Sequence, residues 1–477
     1  MNASAQPRTV RALEVRSRSL RLSYELSLRL VVVAYAVVFS AAGVLDYVGF
    51  RSASYDLGNA VQAIWNTAHG HPLETTAEYG SQFSRFGWHV DPILVLFAPL
   101  WLIWSSPVIL LVVQAALVSA GALPVFWLAR KHLGSEKAAT AFAIAYLAYP
   151  ATQWNALDPN LGFHPVSLAL PLLLYTLWWL DEERWVRFGI VAVVAAASNE
   201  QVPLIVGCLC LWYGLTRKRP VFGASLFATG LALTVVDFLI VPHFSTSGTN
   251  PFADRYSAVG GSAGGILKTL LLHPLRAAEV IPTGHKLAYL ALLFIPLLGL
   301  CLRAPLLLFA AVPPLLINLL SSSSDQTSVA SHYAASTAAI LFGATIIGAS
   351  RMKDPERISL AVLPAVLATA LISPFWTAVP VARNAVTGSS LVRAERHAVS
   401  LVPDGVPVSA SNIIGGHLSN RRRILLFPVI RNAQWIAVDT ADLEGAAPYR
   451  PVVERLQRRG SFVKVYDSHG VVVMRRR

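Results

Sequence analysis

Eight side chains able to move protons or hold anions sit in short polar stretches between apolar runs. They are Asp56 in YDLGN, Arg85, His89 and Asp91 in SRFGWHVDP, His164 in DPNLGFHP, Glu200 in SNEQ, and His332 and Tyr333 in SVASHY. A carboxylate such as Asp56 can act as general base, taking the proton of an acceptor hydroxyl within hydrogen-bond reach. The histidines and acids together can hold a divalent metal, or a diphosphate through one, although their spacing matches no recognised metal motif and no cofactor is required by it. Each residue also has a plainer reading. Asp56 precedes LGNAVQAIWNTA and can cap that helix. His89 and Asp91 can form an interfacial polar rim, His164 before Pro165 can mark a helix start, and Tyr333 can belong to an aromatic belt. Glu200 lies between two apolar runs too short to hide it, which favours a buried, paired acid over a solvated loop. There is no Walker A stretch, no dinucleotide GxGxxG after a strand, no HExxH and no GxSxG elbow.

The elements that must position these groups belong to a membrane protein. The chain of 477 residues is 55% hydrophobic and 14% charged, and its mean hydropathy of +0.54 lies outside the soluble range. Runs such as LRLVVVAYAVVFSAAGVLDYV from Leu28 approach the roughly 20 residues that cross a bilayer, and lipid demands that they be helical. The net charge of +13 sits in clusters beside apolar runs, where the positive-inside effect places it, so nucleic acid is not the expected partner. Cys208, Cys210 and Cys301 lie within apolar runs and imply packing, not a disulfide framework.

Residues 1–27 read as a basic cytoplasmic N-terminus leading into a retained signal anchor. Residues 28–380 read as a transmembrane domain of roughly eleven crossings, with an outer loop over 49–91. The run 92–104 is too short to cross and is expected to lie at the interface or re-enter. The crossings then fall at 28–48, 106–129, 137–152, 166–180, 186–198, 201–215, 221–241, 286–302, 304–320, 333–350 and 358–378, with basic inner loops at 181–187, 216–220, Arg303 and 351–357. In this register Asp56, Glu74, Glu78, His89, Asp91, Asp158, His164, Glu200, Asp325, His332 and Tyr333 all fall on the outer side, which predicts one shared outward-facing cavity. Residues 381–477 alternate in short stretches with one helix at PVVERLQRR, and are expected to form a small extracytoplasmic α/β domain.

The stretches YDLGNAVQAIWNTAHGHPLETT, WHVDPILVLFAPLWLIW, FHPVSLALPLLL, SNEQVPLIV and SHYAASTAAILFG, with VSASNIIGGHLSNRR and WIAVDTAD in the tail, resemble in order the bacterial membrane-protein family known as domain of unknown function 2079. That family is similar to the C-type (GT-C) glycosyltransferases, polytopic enzymes that take a sugar from a polyprenyl-phosphate carrier on the extracytoplasmic face. The resemblance implies a GT-C-like helical fold with juxtamembrane helices at 57–69 and 92–104. It implies a catalytic acid in the first outer loop, at Asp56, and a lipid-linked donor entering from the bilayer. His164, Glu200, His332 and arginines such as Arg85 and Arg255 would hold the phosphate leaving group, with His89, Asp91 and Tyr333 also in the substrate site. Two departures stand out: Asp56 is followed by Leu57 and Gly58, so no DxD or ExD pair forms, and SNEQ keeps only the acid Glu200 of the pattern. The competing expectations are a translocator of a lipid-linked substrate, which predicts polar groups at mid-helix and two similar halves, and a non-catalytic envelope assembly protein acting through its tail.

Overall fold

The computed structural model describes residues 8–76, 80–159, 161–374, 376, 380, 383, 385–441 and 449–477; Glu78 lies outside them. Among the described residues four helices are long and apolar enough to cross a membrane: Ser23–Val48, Val108–Leu133, Pro220–Phe244 and His332–Ala349. They occupy different places in the bundle. His332–Ala349 is 94% buried and forms its axis, whereas Pro220–Phe244 is 17% buried and presents its apolar surface outward.

The other apolar runs also fall on helices, several of them shorter where proline interrupts the run. The run 137–152 ends at Ala148, and a new helix, Pro150–Leu157, starts at the next proline. The run 304–320 breaks into Pro305–Leu308, a 3-10 turn Phe309–Ala311, and Val312–Leu320. The run 92–104 becomes a 3-10 turn Pro92–Phe97 followed by helix Ala98–Ile103. It buries Ile93, Leu94, Phe97 and Trp101 and exposes Leu96, Leu102, Ile103 and Trp104, the two-faced pattern of a segment lying along a boundary.

The first loop carries a π-helical turn, Ser54–Gly58, the amphipathic helix Asn59–Ala68, and a short hairpin of β1 (Glu74–Thr76) and β2 (Gln82–Ser84). The tail forms a five-stranded sheet of β3 (Val408–Ala410), β4 (Ile424–Leu426), β5 (Trp435–Asp439), β6 (Phe462–Ser468) and β7 (Val471–Arg476). The order is β4-β3-β5-β7-β6, with β3 parallel to both neighbours and β7 antiparallel to β5 and β6. Helices Ser390–Leu401, Asn412–His417 and Tyr449–Arg458 complete the α/β unit.

Charged side chains gather at both ends of the bundle. At one end the C-termini of Val108–Leu133 and Ala169–Asp181 meet Arg217, and Asp181 binds Lys131 at 2.8 Å, His132 at 2.9 Å and Arg217 at 3.0 Å. The other end is closed by the first loop, the 158–164 connection, the Ser198–Gln201 turn and the 325–334 segment.

Candidate functional site

Asp56 does not cap the helix that follows it. That helix starts at Asn59 with Gly58 at its N-cap and no side-chain cap bond, while Asp56 sits a turn earlier inside the π-helical Ser54–Gly58. Single π turns recur at functional sites because they re-aim a side chain without ending the helix. Here the turn brings Asp56 Oδ1 to 3.8 Å from His164 Nε2.

His164 is positioned from the backbone. Its N–H donates to Gln114 Oε1 at 3.0 Å, and Gln114 Nε2 donates to the Gly162 carbonyl at 3.1 Å, so one buried amide from the helix Val108–Ala120 pins the loop twice. Gly162 has φ of +84° and packs against Ser52 and Leu57, an approach and a conformation that both favour glycine. The His164 ring stacks face to face on His332, centroids 3.7 Å apart and 9° from parallel. His332 Nδ1 in turn lies 3.9 Å from Asp158 Oδ2. Asp158 closes the helix Pro150–Leu157 in the left-handed region, φ 42°, a conformation a non-glycine residue holds only where its surroundings impose it. The result is a line of Asp56, His164, His332 and Asp158 drawn from three distant parts of the chain.

These contacts are longer than hydrogen bonds, and Asp158 Oδ2, His164 Nδ1 and both ring nitrogens of His332 are buried without a hydrogen-bond partner among the described residues. Burial, with the charges of Asp56 and Asp46 added to it, pushes the Asp158 carboxyl well above the usual carboxylate range. Burial, followed by His332, His89 and Arg85, holds the His164 imidazole well below its ordinary value.

A second set of groups flanks this line. His89 sits edge-on to His164, ring centroids 5.9 Å apart, and stacks on Phe252 at 4.8 Å. Its Nδ1 is 3.3 Å from Glu200 Oε1. Burial alone would raise the Glu200 carboxyl, but His89 and the backbone N–H groups of Glu200 and Val90 outweigh it and lower it. Arg255 lies over the Phe252 ring at 4.6 Å and donates to the Tyr333 hydroxyl at 2.9 Å. Arg85 and Asp91 pair with each other: the guanidinium meets the carboxylate at 2.7 to 3.0 Å with both side chains buried. Glu74 faces the tail at Arg422, and Asp325 is exposed in its own 3-10 turn.

The sequence pattern does not single out Asp158 from other acids, nor Asp46 near the end of the first long helix. The available signal for Asp158 is its place before Pro159 in DPNLGF, which reads as a turn. Among the described residues no group of three His, Cys, Asp or Glu side chains is placed to hold a metal ion. Imidazoles stacked face to face present their π surfaces to each other and do not converge their nitrogens on one point, so this donor set does not fit a metal. A small cleft of about 20 Å³ lies between the first loop, at Tyr55, Asn59 and Trp88, and the tail, at Ile424 and Leu426; Asp56 follows its lining residue Tyr55 in the chain and does not itself line it.

The fold aligns with ArnT from Cupriavidus metallidurans bound to undecaprenyl phosphate, with a TM-score of 0.53 at 11% identity over 93% of this chain and 97% of that one. The apo state of the same enzyme gives 0.52 at 12% identity over 93% and 98%. The oligosaccharyltransferase of Archaeoglobus fulgidus in complex with Zn and sulfate gives 0.43 at 15% identity over 85% and 68%. At these identities the likeness is one of fold, and it bears out the expected GT-C-like helical architecture with a small C-terminal α/β unit. No curated protein sequence matches the chain. The model of the family described as "Predicted membrane protein (DUF2079)" matches residues 47–473, from the end of the first helix through the last strand, and the chain belongs to that family.

Proposed function

We propose that the protein is a membrane glycosyltransferase that moves a sugar from a polyprenyl-phosphate donor to an extracytoplasmic acceptor, with Asp56 as general base. The observation that carries this is the placement of Asp56: a partly exposed acid 3.8 Å from a buried imidazole, in a loop where groups from five segments converge. Asp56 takes the acceptor hydroxyl's proton as its oxygen bonds to the anomeric carbon of the donor. The bond from that carbon to the carrier phosphate breaks, and the phosphate leaves with the electron pair. Arg255, bonded to a phenol and not to a carboxylate, holds the phosphate together with Tyr333. Burial and the nearby charges of Asp56 and Asp46 disfavour a second carboxylate at Asp158, which suits a site that receives a phosphate. Arg85 and Asp91 serve as the buried brace of the loop, and His89 and Glu200 fix the wall behind His164.

In this reading residues 1–27 are cytoplasmic, 28–380 cross the bilayer and 381–477 form the extracytoplasmic domain. The ArnT structure that the fold matches holds undecaprenyl phosphate, which supports a lipid-linked donor here. The test is transfer by purified protein from a panel of polyprenyl-phosphate sugars, with and without chelator. Asp56→Asn is expected to lower turnover by about 10²–10⁴-fold with the protein folded. A fully active Asp56→Asn variant removes the base assignment, and a wild-type protein inert with every donor removes the reading.

A further inference from the structure

The tail motif SNIIGGH and the loop motif YDLGN lie far apart in sequence and face to face in the fold. Helix Asn412–His417 follows β3 directly and packs on the Ser54–Gly58 turn. Asn412 Oδ1 accepts from two consecutive backbone donors, Ser54 N–H at 2.9 Å and Tyr55 N–H at 3.2 Å. Those are the two residues before Asp56. Because both facing groups are donors, the amide must turn its oxygen toward them, which fixes its orientation.

The rest of the contact is built for close approach. A Cβ at Gly416 would lie 2.6 Å from the Ser52 carbonyl oxygen, and one at Gly58 would lie 2.6 Å from Ser419 Oγ. His417 is sandwiched between Tyr47 and Phe50, ring centroids 4.1 and 3.9 Å away, at the end of the first long helix. The tail helix is itself anchored to the sheet, since Ser411 N–H donates to Ala437 O at 3.1 Å and Ser411 Oγ accepts from Asp439 N–H at 3.1 Å. Further along the seam Gln62 donates to Arg422 O at 2.9 Å and Trp101 to Asn420 Oδ1 at 2.9 Å.

We infer that Asn412 is a positioning residue for Asp56: the tail domain sets the π-helical turn by accepting the Ser54 and Tyr55 N–H groups, and so completes the site. A short turn of this kind has few internal constraints, and two backbone donors bound to one rigid acceptor fix its pitch. Only the kinetic part of the inference rests on the reading of Asp56 as base; the structural part does not.

The experiment uses the full chain in nanodiscs and compares Asn412→Ala, Asn412→Asp and Gly416→Ala with wild type by hydrogen–deuterium exchange and by sugar transfer. Asn412→Ala is expected to speed exchange of the Ser54 and Tyr55 amides at least about tenfold while strands β3 and β5 stay protected. It is expected to lower kcat with KM held within about twofold, because the base is displaced and not the binding surface. Asn412→Asp keeps the accepting oxygen and is expected to restore both. Should Asn412→Ala open the tail sheet as well, Gly416→Ala decides, since it pushes the helix off Ser52 with Asn412 retained and is expected to open the same two amides. Unchanged exchange at Ser54 and Tyr55 in both variants, or an Asn412→Asp variant as impaired as Asn412→Ala, overturns the inference. Local opening in a protein that transfers no sugar at all sinks the proposed activity and leaves the positioning role standing.

Discussion

The buried pair of Arg85 and Asp91 gives the sharpest stability prediction, because its two halves should fail differently. Their side chains are 4% and 1% exposed, and the guanidinium contacts the carboxylate at 2.7, 2.9 and 3.0 Å. Removing one partner of such a pair costs about 3–5 kcal/mol, since the other is left charged and dry, while replacing both by apolar residues of similar size is close to neutral. Asp91→Ala strands a guanidinium that cannot shed its proton, so its cost should be about 3–5 kcal/mol at every accessible pH. Arg85→Ala strands a carboxyl that can escape by protonation. Burial already pushes Asp91 above its ordinary value against the pull of Arg85, and without Arg85 it rises further. A carboxyl whose folded value lies above its unfolded value binds more protons folded, so stability falls as pH rises from about 4 towards that folded value. Arg85→Ala should therefore be milder than Asp91→Ala, and mildest in acid. Unfolding can be followed with a fluorogenic maleimide on heating, because Cys208, Cys210 and Cys301 are free and buried. Single variants costing under about 1 kcal/mol would refute the buried brace. A double Arg85→Met, Asp91→Leu variant that stays folded yet loses transfer would return Arg85 to the substrate site.

Two further outcomes follow from titration. Burial raises the Asp158 carboxyl, so Asp158→Asn, a near isostere that does not titrate, should leave the fold intact and flatten the decline of stability above about pH 4, by up to about 1.4 kcal/mol per pH unit, in the same maleimide assay. His417 is pushed down to about 3, chiefly by burial, so docking of the tail should weaken as pH falls from about 6.5 towards that value. Limited proteolysis at the seam should show this release in wild type and not in His417→Phe, which keeps the stack between Tyr47 and Phe50.

Much of the site was legible because ionisable side chains in a chain this apolar are few, and desolvation leaves them few places to go. Asp56, His89, His164, Glu200 and His332 are five sequence positions in five stretches, and the fold brings them to one end. What sequence hid was pairing. Arg85 and Asp91 are six residues apart in a loop, a spacing with no periodic neighbour rule, so nothing local says that each satisfies the other. Asp158 reads as turn chemistry, and its left-handed backbone, which aims it at His332, has no sequence signal beyond the residue type. Asn412 meets Tyr55 across a separation of 357 residues. Helix bounds were legible in runs such as 201–215, 221–241 and 333–350, which appear as Val202–Thr216, Pro220–Phe244 and His332–Ala349, and were missed where prolines at 150, 305, 313 and 314 end or restart helices, since hydropathy registers apolar residues and not those breaks.

The two charged ends of the bundle show why one is read as a frame and the other as a site. Asp181 receives Lys131, His132 and Arg217 at 2.8 to 3.0 Å, and Lys131 is shared with Glu182 at 2.6 Å, so the charges there are spent on one another. At the other end Asp56 and Asp158 meet imidazoles at 3.8 and 3.9 Å, too far for a hydrogen bond, and the rings pack on each other. A fold selected only for stability would not leave Asp158 Oδ2, His164 Nδ1 and both His332 ring nitrogens buried without a partner among the described residues, because such atoms cost free energy. The surrounding structure holds these groups in place: Gln114 pins the His164 loop, Arg85 and Asp91 brace the segment leading to helix Ala98–Ile103, and Asn412 grips the turn that carries Asp56. Rigid support around the buried, partnerless atoms of Asp158, His164 and His332 is what the proposed function requires, since a bound substrate would supply the missing partners. Loosening the support should therefore cost turnover before it costs the fold.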